Sequence, residues 1–176
     1  MYNPILDADA EYIELCNISD AAVTLYDSDE DASWRLTDDP DNPGLEFLFP
    51  TDPPVVLAPG QCVVIAKDIL AFEATYTVPA GTLLFAWGPG RLANGSEKVQ
   101  LSVPGDADND GQRHWIRLDR VVYSDGLHPE NFASGIDPWP IQADGFGASL
   151  TRIDLSAYGN DPANWQAAPA TPGFLN

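Results

Sequence analysis

The sequence predicts an all-β fold, a β-sandwich assembled from many short strands. Short apolar runs recur at roughly 8–12-residue spacing, the rhythm of antiparallel strands joined by turns. Sixteen Pro and fourteen Gly punctuate those runs and leave no room for long helices. Only one segment places its apolar residues at helical spacing. A chain of 176 residues is long enough for one domain with a sizeable core. No internal repeat and no linker divides it, so residues 1–176 are read as one domain.

Glu11–Asn17, EYIELCN, alternates. Ile13 and Leu15 share one face, with Tyr12, Glu14 and Cys16 on the other, the signature of a half-buried strand. Ala22–Tyr26 repeats the pattern until the charged SDEDAS run breaks it, and a strand resumes at Trp34. Asp38–Gly44, DDPDNPG, reads as a loop, because Asp and Asn side chains bond nearby backbone and Pro fixes φ. Glu46–Phe49 is a short strand ended by Pro50. Val55–Ala66 reads as strand, Pro-Gly turn, strand, and its second half is apolar throughout, as in a strand central to a sheet.

Lys67–Tyr76 is the helix: Asp68 can cap it, and Ile69, Phe72 and Tyr76 share a face. It should bridge two strands. Further strands start at Thr82 and Glu97, on either side of a GPGRLANGS turn region. In Trp115–Asp125 the parity of the apolar residues changes partway, which predicts a bulge or a strand start near Asp119. Gly147–Leu155 is the last clear strand. The remaining residues, rich in Pro, Asn and Ala, should run as an extended irregular tail. Gly60, Asn94 and Gly95 read as turn positions with positive φ.

Eight Lys plus Arg face twenty-seven Asp plus Glu, a net charge of −19. Such a field repels nucleic acid and anionic lipid surfaces and favours solubility and cations. No stretch reaches the ~20 apolar residues of a membrane helix, and no signal peptide is visible. Two cysteines, Cys16 and Cys62, are too few for a disulfide scaffold or an all-Cys zinc site. Either they form one bridge in an oxidising compartment or they are two separate small apolar thiols.

Several segments, in order along nearly the whole chain, resemble the bacterial type of lamin-tail domain. They are MYNPILDADAEYIELCN, FLFPTDPPVVLAPGQCVVIAKD, LANGSEKVQL, DPWPIQADGFGASLTRID and NDPANWQAAPATPGFLN. The resemblance implies an immunoglobulin-like β-sandwich of two antiparallel sheets. It also implies an extracellular or cell-surface setting, as a piece of a larger multidomain protein. The family brings no shared catalytic residues, so it leaves activity open. Two departures stand out. Family members usually carry a further strand before the Met-Tyr-Asn-Pro turn, so the chain is read as an excised domain. The acidic loop PGDADNDGQ is longer and more charged than the usual turn there.

That loop is the first candidate site. Asp106, Asp108 and Asp110 alternate ahead of Gly111, matching positions 1, 3 and 5 of a calcium loop, with Gln112 offering a carbonyl at position 7. The twelfth position is Arg117 rather than a bidentate Glu, so an EF-hand is excluded; Asp119 is the candidate closing ligand. The competing reading is a solvated hairpin tip. Trp139, held between Pro138 and Pro140, is a candidate ligand-contact residue, against the reading that it plugs the end of the sandwich. His114 and His128 lack metal-type spacing, and no nucleophile elbow or phosphate loop is present. The expectation is a non-catalytic extracellular module that contacts neighbouring domains or a surface protein or glycan. The alternative is a calcium-dependent binding domain for glycans or surface proteins.

Overall fold

The computed structural model describes residues 1–39 and 44–175. Residues 40–43 of the expected Asp38–Gly44 loop fall outside this set. The elements run β1 (Tyr12–Cys16), β2 (Val23–Thr24), β3 (Tyr26–Asp27), β4 (Ala32–Ser33), β5 (Arg35–Thr37), β6 (Glu46–Leu48), β7 (Val56–Leu57), β8 (Cys62–Ala66), α1 (Ile69–Thr75), β9 (Leu83–Ala86), β10 (Ser96–Ala107), β11 (Arg113–Ser124), β12 (Ala148–Arg152) and β13 (Trp165–Pro169). Among the described residues the fold is all-β with one α-helix. No helix among the described residues is long and apolar enough to cross a membrane.

Two larger sheets organise the chain, in the orders β1-β8-β9 and β11-β10-β5-β6, beside the two-stranded pairs β12-β13, β2-β7 and β3-β4. The expectation of purely antiparallel sheets needs correction, because β8 and β9 are parallel. The reason lies between them: α1 carries the chain back to the starting end of the sheet, as a parallel crossover requires. Asp68 caps α1 by accepting from the Ala71 N–H at 2.9 Å, as its position in the sequence suggests.

β8 is buried over its whole length. Val63 and Ile65 join the main apolar cluster, while Val64 and Ala66 face a second one with Tyr12 and Phe72. Tyr12 meets the Phe72 ring edge-on at 5.4 Å, which fixes the helix against the sheet. Inner-face residues of the other large sheet, Leu36, Val99, Leu101 and Val121, belong to or pack on the same main cluster. The outer face of that sheet differs in kind. Register places Arg35, Lys98, Arg117 and Arg120 there, four of the chain's eight Lys and Arg. The Arg35 guanidinium lies 4.3 Å from the Trp115 ring centre.

The parity change foreseen near Asp119 is a bulge. Leu101 pairs with Asp119 and Ser102 with Arg117, leaving Leu118 as the extra residue. A second irregularity follows Pro104, which has no N–H to give the ladder. The tail is less irregular than expected, since β13 lies within it and pairs with β12 from Arg152–Trp165 to Ala148–Pro169. Burial of Trp165 and Ala167 against the main cluster supplies the driving force that the Pro- and Ala-rich composition conceals. Gly60 has φ +73°, as its turn demands, whereas Asn94 and Gly95 do not take positive φ.

Cys16 and Cys62 are joined by a disulfide across β1 and β8. The two are direct register partners at a position where neither strand bonds the other through backbone, since the bonded rungs are Glu11–Lys67 and Asn17–Gln61. Side chains approach most closely at such positions. Closing a loop of 46 residues contributes about 4 kcal/mol on the chain-entropy account.

Phe72 is fully buried and is the main helix contribution to its cluster. Truncation to Ala should cost about 3–5 kcal/mol in urea unfolding, with the midpoint falling and the slope unchanged.

Candidate binding cleft

The inner faces of the two larger sheets do not meet along their whole length. On the side of β1 and β11 they part around an apolar cleft of about 660 Å³, lined by β1, β11, β12 and the C-terminal residues. Its size falls within the ~300–1,000 Å³ typical of ligand sites. Ile13 and Leu15 project from β1, Val121 from β11 and Leu150 from β12. Tyr2 and Tyr123 stack at 4.6 Å in its wall, and the Tyr123 hydroxyl donates to the Ala93 carbonyl at 2.6 Å. Burial, then the nearby Glu97 carboxylate, pushes the Tyr123 phenol pKa upward.

The rim is apolar too. Ile18, Leu118, Tyr158 and Phe174 are 52–66% exposed around the opening. Polar groups are few. Arg152 from β12 pairs with Asp119 from the β11 bulge and lies over the Trp165 ring. Trp165 in turn donates its indole N–H to the Gly159 carbonyl at 2.9 Å. Glu14 lies at the β1 edge and accepts from the Gly173 N–H at 2.6 Å. Burial raises the Glu14 pKa, and the Gly173 bond and the Met1 amine only partly offset it. Burial likewise pulls the Met1 amine down to about 5, against the attraction of Glu14 and Glu11.

The acidic loop forms the tip of the β10–β11 hairpin. Asp108 Oδ1 accepts the Asp110 N–H at 2.9 Å and the Gln112 N–H at 2.8 Å. Gly111 sits at φ +79° and donates to the Asp108 carbonyl. Asp108 is therefore the brace of the turn. Asp106, Asp108 and Asp110 do not converge: among the described residues, Glu14, Cys16 and Cys62 form the one set of three metal-type ligand atoms within 4.8 Å of one another. In that set the two sulfurs are bound to each other. Asp119 does not close the loop. It stands six residues along β11 from Arg113, about 20 Å at the usual strand rise, and is held by Arg152.

Trp139 also needs correction as an exposed ligand contact. It is 4% exposed, belongs to the main cluster and lies 6.0 Å from the Trp165 ring. Its backbone N–H donates to the Asp137 carboxylate at 3.0 Å. His128 bonds Glu130 at 3.0 Å at the surface, and that bond is the main cause of its raised pKa.

Little in the sequence points to the cleft. Its lining comes from strand positions read as core, and the part they leave unfilled depends on how the sheets splay. One hint was available in Phe174–Leu175, an apolar pair after Pro172-Gly173. A scan against protein-family models and a search of curated proteins give no match for this chain.

Two outcomes follow from this geometry. A carboxyl whose folded pKa is raised stabilises the fold below its unfolded pKa and loses that contribution as pH rises through the folded value. Glu14→Gln should therefore stabilise the protein at pH 7, and the difference from the parent should shrink towards pH 4 in paired urea titrations. Since Asp106, Asp108 and Asp110 do not converge, melting temperatures in millimolar calcium and in chelator should coincide; a concentration-dependent rise would restore the calcium site.

Proposed function

We propose that this chain is an immunoglobulin-like β-sandwich of lamin-tail type serving as a non-catalytic interaction module of an extracellular or cell-surface protein. The observation that carries the reading is the cleft: apolar inside, apolar at its rim, and open to solvent. A soluble protein that leaves such a surface uncovered has something to cover it with. The disulfide supports the location, because such bonds persist in oxidising compartments. The shared apolar cluster between the two larger sheets supports the sandwich. The charge of −19 disfavours nucleic acid and anionic membranes and leaves protein or neutral glycan partners.

The test is a binding screen against cell-surface protein and glycan libraries, run beside a rim variant, Leu118→Asp with Phe174→Asp. Both residues are more than half exposed, so the fold should survive, as circular dichroism would check. Binders should lose at least about tenfold in affinity for the variant. Binding that ignores the rim, or turnover of ester, phosphodiester or glycoside substrates, would overturn the reading. Thiol counting on unfolded, unreduced protein made in an oxidising compartment should find no free thiol.

A further inference from the structure

A second surface, separate from the cleft, is marked out by the basic residues. Four of them sit in close ion pairs: Lys67 and Arg91 each reach Asp9 at 2.7 Å, Arg113 reaches Glu30 at 2.8 Å and Arg152 reaches Asp119 at 2.5 Å. The other four, Arg35, Lys98, Arg117 and Arg120, share the outer face of the β11-β10-β5-β6 sheet and are poorly matched. Arg35 meets Glu46 at 3.3 Å, and Lys98 meets Asp39 only at 3.7 Å. Arg117 and Arg120 join no salt bridge among the described residues. The Nε groups of Arg35 and Arg120 are buried without an acceptor. Twenty-seven Asp and Glu are present in the chain, so a face of under-paired cations does not arise from a shortage of acids.

Register sets these cations in rows. Val122 stands opposite Lys98, Arg120 opposite Gln100, Arg117 opposite Ser102 and Trp115 opposite Pro104. The four β10 residues are two apart, so successive rows are roughly 7 Å apart at the usual strand rise. Lys98, Arg120 and Arg117 thus give each of the first three rows a cation that reaches solvent. Trp115, with the Arg35 guanidinium against its ring, closes the series. Gln100 and Ser102 form the floor, buried and bonded to each other at 2.9 Å. The face is open on both flanks, since Leu48 on β6 and Val122 on β11 are exposed. Met1 and Gly173 both bond residues of β1, in the other large sheet, so this face lies across the core from both.

The spacing specifies the occupant. Roughly 7 Å is also the step between alternate side chains of an extended polypeptide. Carboxylates suit the cations, because Arg takes them through two parallel bonds. A long polyanion would run off the face into the field of the remaining acids, whereas a stretch with three charges would not. Screening over about 8 Å at physiological salt keeps those distant acids from cancelling the local attraction. We infer that the outer face of this sheet docks an extended acidic segment of a partner polypeptide. Asp or Glu at three alternate positions meets Lys98, Arg120 and Arg117 in turn, and an apolar residue two positions further on meets Trp115. Exposed ion pairs are individually weak, so spacing rather than total charge sets the selectivity.

The test uses the full chain, isotope-labelled for NMR, and short peptides that read the same in both directions. The probe is acetyl-Leu-Ser-Glu-Ser-Glu-Ser-Glu-Ser-Leu-amide. Its controls are acetyl-Leu-Ser-Ser-Glu-Glu-Glu-Ser-Ser-Leu-amide and the Lys-for-Glu form of the probe. The probe should shift the Trp115 indole and the Arg117 and Arg120 side-chain signals, saturating with a Kd below about 5 mM. The clustered Glu peptide should bind at least about threefold more weakly, and the Lys form not at all. Lys98→Gln with Arg117→Gln should weaken the probe at least about fivefold; if that variant does not fold, Arg117→Gln alone, at an exposed position, should weaken it about threefold. Phe174→Asp at the cleft rim should leave probe binding unchanged, so failure of this surface and failure of the cleft are read separately. No saturation by about 5 mM, equal binding of the two Glu peptides, or loss on Phe174→Asp would overturn the docking surface. Tighter binding of a uronic-acid oligosaccharide or of single-stranded DNA would overturn the polypeptide partner, and self-association abolished by the Gln variants would give the face to a second copy instead.

Discussion

Val63, Val64, Ile65 and Ala66 have no side that meets water, and most of the architecture is a way of covering them. Two faces of one strand need two layers. The second large sheet supplies the first, and α1, with Phe72 and Tyr76, supplies the other. Burying a β-branched side chain contributes about 1.5–3 kcal/mol, so a strand of such residues outweighs most local preferences around it. It also dictates the parallel step to β9, since the helix that covers Val64 and Ala66 must be placed between β8 and the next strand. β1, β9 and the Tyr12–Phe72 contact follow from that choice.

Local chemistry was legible in the sequence, and long-range choices were not. The capped helix at Ile69–Thr75, the buried β8 and the bulge in β11 each announce themselves within a dozen residues. The fate of β13 does not, because Trp165–Pro169 becomes a strand only when β12 lies beside it. Asp119 shows the same limit. Its charge suggested a metal, but its partner is Arg152, 33 residues away. Trp139 looked presented by its prolines, and only the packed structure places it beside Trp165. The cleft was the least visible feature, because its lining is gathered from β1, β11, β12 and the C-terminal residues, which are far apart in the sequence.

The cleft distinguishes the two halves of the molecule. Around β8 the apolar residues are enclosed, and around the β1–β12 gap they are not. The Arg152–Asp119 pair and the Glu14–Gly173 bond secure the borders of the gap without filling it. A partly exposed ion pair contributes little stability, so Arg152 is better regarded as holding β12 near the bulge than as a strut of the core.

The bond between Cys16 and Cys62 spans the segment that contains β2 to β7, including two strands of the other large sheet. A protease that cut anywhere in that segment would produce two pieces that could not diffuse apart. Hydrolysis of one peptide bond would leave the molecule's mass almost unchanged until the sulfur link was reduced. Outside the cell, where enzymes of that kind are abundant and reductants scarce, a nicked copy would persist as a single particle with its sheets still tied together.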